Sequence, residues 1–160
     1  MRISNKTDFF EEVKVKLQRE GFRVIGQDFF PWGGTLQIDE EHAHKFADTF
    51  FASKQLYLPQ RPKILVIAPG KAIHWQYHLR RSEFWQVLVG EVGIVVSKND
   101  EEQPLRVKSC GEVVQLHPGD RHRLVGLNDW GVVAQLWKHS NLAQPSDDGD
   151  VVRLASGFTY

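Results

Sequence analysis

An all-β barrel or sandwich preceded by one helix is the fold class that this 160-residue sequence predicts, and three observations carry it. From Lys63 onward, short β-rich runs recur, separated by turn-forming Gly, Pro, Asn and Asp residues. Near the start, Phe9, Phe10, Val13 and Leu17 fall on one stripe at helical spacing. With 41% hydrophobic and 25% charged residues, the chain can bury one sizeable core without staples. The expected organisation is a helix and strand over residues 1–30, packed on a barrel domain over 31–160.

The helix is expected over 7–20, with Asp8 and Glu11 as a capping pair and Gly21 as its stop. Its apolar stripe should cover the outside of the β domain while its charged face meets water. Residues 29–34, rich in aromatics, Pro and Gly, read as an irregular turn, and 40–44 as helix or loop. His42 and His44 form a rival metal pair only if extended, because residues two apart on a helix do not share a face. Their acidic setting reads as a solvated charge cluster. Strands follow at 64–68, 75–78, 84–89, 92–97, 105–108, 113–116, 123–125 and 132–137. Gly90-Glu91 suits a tight hairpin, and 98–102 is a charged loop. Trp75, Trp85, Trp130 and Trp137 either fill the core or line a sugar-stacking cleft, and strand aromatics more often fill cores. Cys110, the one cysteine, cannot form an internal disulfide and is given no role beside Gly111.

Twenty basic and twenty acidic residues cancel, and no positive block is long enough to track a phosphate backbone, so nucleic acid is not an expected partner. The first residues lack the apolar run of a signal peptide, and no stretch reaches bilayer-spanning length. A cytoplasmic protein with no membrane partner is expected.

The chemistry is written in two spaced segments. The first reads Gly70-x5-Gln76-x-His78-x4-Glu83-x6-Gly90, and the second Gly111-x7-Gly119-x2-His122. In a strand, alternate side chains share a face, so Gln76 and His78 can point at one ion while Trp75 and Tyr77 face away. A lone His or Gln in a strand is usually a core or surface residue, but four metal-capable side chains at ordered intervals among glycine turns argue for a site. Two imidazoles, a carboxylate and an amide oxygen suit zinc first, with manganese, cobalt, nickel or iron(II) also compatible.

This spacing resembles the two motifs of the cupin superfamily, with Gln76 in place of the usual first His and His117 in place of the usual Pro. More narrowly, Pro69-Gly70, Gln76-Tyr77-His78, Arg81-Ser82-Glu83, Trp85 and Gly90 resemble the C-terminal cupin domain of type II mannose-6-phosphate isomerases. Pro31-Trp32-Gly33, Lys63, Gly119-x2-His122-Arg123-Leu124 and Asp150-Val151-Val152-Arg153-Leu154 match further segments, so the resemblance spans about 31–154. Leu79, Arg80 and Phe84 depart from it, standing where that family has histidines. So do a longer stretch between Gly34 and Lys63 and the ending at 155–160. No Gly-rich phosphate loop of a nucleotidyltransferase half is present.

The resemblance implies a cupin fold, that is, a double-stranded β-helix or jelly-roll barrel with an N-terminal α-helix, and a metal-dependent aldose–ketose isomerase acting on a sugar or sugar phosphate. Three groups are candidates for the proton transfer. Lys63 matches a family lysine and serves as a shuttle if desolvated, or as an anion anchor. His74 shares the ligand face and is either a base or a satisfied strand histidine. Arg123 can bind phosphate or an enediolate oxygen, although alternation from His122 points it to the opposite side. A non-catalytic metal- and sugar-binding cupin and a metal-dependent oxygenase are the alternatives, and exposed sheet edges make a homodimer an expectation.

Overall fold

The computed structural model describes residues 5–54 and 56–155, without the Ser53 side chain. The ending at 156–160 therefore lies outside the described residues. Helix α1 (Lys6–Arg19) starts one residue earlier than expected, because Asn5 and not the Asp8/Glu11 pair caps it. Asn5 Oδ1 accepts the Asp8 N–H at 2.9 Å. At its other end Gly21, with φ +90°, turns the chain so that its N–H reaches the Gln18 carbonyl.

The irregular turn expected over 29–34 is instead the tip of a hairpin. Strands β1 (Val24–Phe30) and β2 (Gly33–Ile38) pair antiparallel around Pro31-Trp32, across the boundary expected at residue 30. β1 is a sheet edge whose side chains are mostly exposed, so it lacks the buried alternation that marks a half-covered strand. Gly33 lies where a Cβ would run into the Val66 carbonyl of the neighbouring strand, which explains the glycine in Pro-Trp-Gly. Helix α2 (Ala43–Phe50) follows, placing Phe46 and Ala47 in the core.

The remaining strands are β3 (Gln60–Ile67), β4 (Gln76–Tyr77), β5 (Arg81–Val89), β6 (Glu91–Ser97), β7 (Arg106–Ser109), β8 (Val113–Leu116), β9 (Arg121–Gly126), β10 (Gly131–His139) and β11 (Val152–Arg153). They build two antiparallel sheets, one ordered β1-β2-β3-β10-β5-β8 and the other β11-β4-β9-β6-β7. The fold is that of the cupin barrels.

Strand alternation sorts the apolar residues into three layers. Leu65, Ile67, Trp85, Val87, Ile94, Leu124 and Val133 meet between the sheets. Phe10, Leu17, Phe46, Ile64, Val66 and Leu136 pack under the helices on the outer face of the six-stranded sheet. Ala72, Trp75, Val95 and Val125 form a smaller layer outside the five-stranded sheet. Each fully buried side chain of this size contributes about 1.5–3 kcal/mol. Four of the five tryptophans divide accordingly. Trp75 sits in the outer layer and Trp130 stacks on Phe9 at 5.1 Å, whereas Trp85 and Trp137 face the space between the sheets.

Candidate metal centre

At one end of the barrel the inter-sheet layer turns polar. On β5, the face that carries Trp85 and Val87 into the interior also carries Arg81 and Glu83, at period two. On β9, His122 shares the inward face with Leu124. Gln76 on β4 stands in register with His122, and His78 follows where β4 ends. There the Gly119 N–H donates to the His78 carbonyl at 2.7 Å, tying the two glycine-punctuated segments together.

His78, Glu83 and His122 are 5%, 3% and 1% exposed, and each offers a ligand atom within 4.8 Å of the others. Gln76 lines the adjoining cavity. Each imidazole is oriented by a backbone carbonyl: His78 Nδ1 lies 2.7 Å from the Asp150 oxygen and His122 Nδ1 lies 2.9 Å from that of Asp120. A carbonyl can only accept, so both Nδ1 atoms carry the proton when the rings are neutral, and both Nε2 lone pairs point inward. His78 Nε2 then faces Glu83 Oε2 at 3.1 Å, and His122 Nε2 faces Glu83 Oε1 at 4.0 Å. Although fully buried, His122 Nε2 has no hydrogen-bond partner among the described residues.

Lone pairs converging on a carboxylate call for positive charge between them. Arg81 supplies part of it, 2.9 Å from Glu83 Oε2 and 3.3 Å from His78 Nε2, and a proton on an imidazole or a bound cation would supply the rest. The unpartnered His122 nitrogen is a further vacant donor position. This buried His–Glu–His group can therefore hold a divalent metal, and the donor set of imidazole nitrogen and carboxylate oxygen fits one. Burial alone would raise the Glu83 carboxyl, yet the His78 imidazole, Arg81 and His122 outweigh it and hold the group well below the usual carboxylate range. Burial pushes His122 down from the ordinary histidine value. The attraction that lowers Glu83 is for positive charge on its neighbours, and a bound cation would supply that charge with both imidazoles neutral.

Two residues that the sequence reading gave no role shape this group. Arg81 Nε donates to Glu83 Oε2 at 2.9 Å, and Arg81 stacks on Trp137 with its guanidinium carbon 3.4 Å from the ring centre. Asp150 accepts the Leu79 and Arg80 N–H groups, both at 2.9 Å, and the Ser146 hydroxyl at 2.7 Å. Arg81 could have been found from its two-residue spacing to Glu83 and Trp85. Asp150 lies about seventy positions from Leu79 and Arg80, and no local pattern marks it.

A cavity of about 540 Å³ opens beside Glu83, walled by Trp32, Lys63, Gln76, Trp85, Gln135 and Trp137 among others. Lys63 shares the inward face of β3 with Leu65, and its ammonium lies 5.7 Å from the centre of the Trp137 ring. Burial lowers this amine from the ordinary lysine value, with Glu83 opposing. His74 also lines the cavity but is exposed, and burial, then Arg153 and Arg123, lower its pKa. Arg123, offered as a substrate anchor, sits instead on the opposite face from His122, next to Trp75 and paired with Glu102 at 3.0 Å. Strand alternation takes it out of the cavity wall.

The departures from the resembled family fall off the ligand cluster. Phe84 points outward into the layer under the helices, 6.3 Å from Phe51, and Leu79 is exposed. Arg80 bonds the Pro145 carbonyl and Asp147. His42 Nδ1 accepts the Arg23 N–H on the far side of the six-stranded sheet, so the rival histidine pair does not form a centre with these ligands. A larger, more open groove of about 810 Å³ runs along α1, away from the His–Glu–His group.

Comparison with solved structures agrees with this architecture. The chain is similar to the capsular polysaccharide assembling protein CapF from Staphylococcus aureus, with a TM-score of 0.56 and 14% identity over 84% of this chain and 35% of that one. A complex of CapF with the inhibitor 3-isopropenyl-tropolone gives a TM-score of 0.58 and 15% identity, over 84% and 34%. A Cupin 2 conserved barrel domain protein from Salinispora arenicola matches 52% of this chain and 64% of its own at 25% identity, with a TM-score of 0.44. The chain thus spans about a third of CapF, and the likeness is one of fold. No protein-family model matches, and no curated protein does. None of the described helices is long and apolar enough to cross a membrane.

Proposed function

We propose that this protein is a metal-dependent aldose–ketose isomerase acting on a sugar or sugar phosphate, with His78, Glu83, His122 and Gln76 as the metal-holding residues. The observation that carries the reading is the buried His–Glu–His group opening onto a cavity that also holds the desolvated Lys63 amine. A divalent cation bound there, zinc first, would supply Lewis-acid stabilisation of negative charge developing on a substrate oxygen. Isomerisation needs a proton to leave the carbon next to the carbonyl and return to its neighbour. Lys63 suits that transfer, because burial makes its neutral form accessible at a lower pH than for a free lysine. Trp32, half-buried in the cavity wall, gives an apolar face for a sugar ring, and Gln135 offers amide hydrogen bonds to hydroxyls.

A second reading, a non-catalytic metal- and sugar-binding cupin, draws on one observation: Arg81 already compensates the Glu83 charge. The two are separated by loading the protein with Zn²⁺, Mn²⁺, Co²⁺, Ni²⁺ or Fe²⁺ and incubating it in deuterated water with free and phosphorylated aldoses, mannose 6-phosphate first. Isomerisation predicts metal-dependent ketose formation with deuterium at C1 of the ketose, and at C2 of the aldose recovered from the reverse reaction. Silence across the panel from folded, metal-loaded protein would leave the binding module as the surviving reading.

A further inference from the structure

His78 has two claimants for one lone pair. Its Nδ1–H is committed to the Asp150 carbonyl, so Nε2 carries a single in-plane lone pair, and Arg81 Nη2 stands 3.3 Å from it. That pair can accept an N–H or bind a cation, but not both at once. The rest of the guanidinium is held independently. Nε donates to Glu83 Oε2 at 2.9 Å, Nη1 donates to Ser146 Oγ at 3.1 Å and to the Asp147 carbonyl at 3.2 Å, and the plane lies on Trp137. Losing the His78 contact therefore breaks one bond and leaves the others in place.

We propose that Arg81 is an internal cation that competes with the metal for His78, and that metal binding frees one Arg81 N–H to receive a substrate oxygen in the cavity. This rests on the metal reading given above. Arg81 itself lines the cavity beside Lys63 and Glu83, so the donor released from His78 belongs to a side chain already in its wall. A guanidinium donor has no acceptor function of its own and suits an anionic or hydroxyl oxygen. The consequence is an order of binding: metal first, then the oxygen-rich ligand. His122 Nε2 has no such competitor, which makes it the nitrogen open to the incoming ion.

Competition and mere positioning have opposite signs. If Arg81 only held Glu83 and His78 in place, its loss would weaken metal binding. If it competes, Arg81→Met should bind Zn²⁺ about tenfold or more tightly than the unaltered protein by calorimetry at neutral pH, the scale of removing a charge-assisted hydrogen bond. Equal or weaker Zn²⁺ affinity in that variant overturns the proposal. A second measurement does not depend on the variant folding. In the ¹⁵N-arginine-labelled wild type, with Arg81→Lys used to assign the signal, saturation with Zn²⁺ should shift the Arg81 guanidinium resonance. An unchanged resonance at saturation overturns it equally. Wild-type protein that binds no Zn²⁺ at all sinks the metal reading itself, whereas Zn²⁺ binding without either effect sinks only the role of Arg81.

Discussion

Lys63 and Glu83 are both desolvated at the same end of the barrel, and their pKa values move in the same direction for different reasons. Glu83 is held down by His78, Arg81 and His122 against its burial, while Lys63 is pushed down by burial against Glu83. For Lys63 the sign for catalysis is direct. An amine acts as a base only when unprotonated, so a lowered pKa brings the rising limb of kcat/KM below the ordinary lysine value of 10.5. Lys63→Met should leave folding and metal content intact, remove that limb and cut turnover by about a hundredfold or more. An unchanged pH profile in an active variant would take Lys63 out of the mechanism and turn attention to His74. For Lys63, alternation in the sequence puts it with Leu65 and Ile67, but whether that shared face looks into the barrel or outward under the helix depended on the packing of the sheets. Arg123 was legible by the same rule, which sends it away from His122 and into a pair with Glu102.

At the scale of elements, the segment 146–154 acts as a strap across the metal-capable turn. β11 pairs with β4, and the Leu154 N–H reaches the Trp75 carbonyl at 2.8 Å. Between them the Asp150 carboxylate caps the turn at Leu79 and Arg80 while its backbone oxygen orients His78. Burial would raise the Asp150 carboxyl, but the Leu79 N–H, the Ser146 hydroxyl and the Arg80 N–H outweigh it, so its pKa is lowered. A lowered carboxyl contributes stability that is complete above the ordinary aspartate value of 3.8 and lost as pH falls through the lower folded value. Asp150→Asn should therefore cost about 1.5–3 kcal/mol at neutral pH, the range for hydrogen bonds to a charged group. Urea titrations at neutral pH and near pH 3 would check it, the difference from wild type shrinking at the lower pH. A constant difference would show that the carboxylate charge is not the source. The strap's motif residues could be quoted from sequence, but their contacts could not, since nothing local links position 150 to position 79. The β1–β2 hairpin was hidden for another reason: an exposed edge strand ending in Phe-Phe-Pro-Trp-Gly-Gly presents turn chemistry and no buried alternation.

Across the whole molecule, the metal-capable residues join the two sheets. Glu83 comes from the six-stranded sheet, His122 and Gln76 from the five-stranded sheet, and His78 from the turn beneath the strap. His122 comes several strands after Gln76, His78 and Glu83, so an unfolded chain does not hold all of them together, and a bound ion should stabilise the native barrel as a unit. The period-two strands and glycine turns made this barrel end readable from the sequence, whereas the closeness of the three ligand atoms depended on packing between sheets. At a free Zn²⁺ concentration a hundred times its Kd, mass action adds about 2.7 kcal/mol, which for a domain of this size raises Tm by about 5–10 °C. Glu83→Gln and His122→Ala should abolish the rise in a thermal scan, and a chelator should reverse it in the wild type. A double His42→Ala, His44→Ala variant should keep the full shift, because His42 stands at the N-cap of α2 and His44 lies in its first turn, outside the His–Glu–His group. If that double variant lost the shift while Glu83→Gln and His122→Ala retained it, Zn²⁺ would be acting at the helical segment, and the barrel-end site would have to be given up.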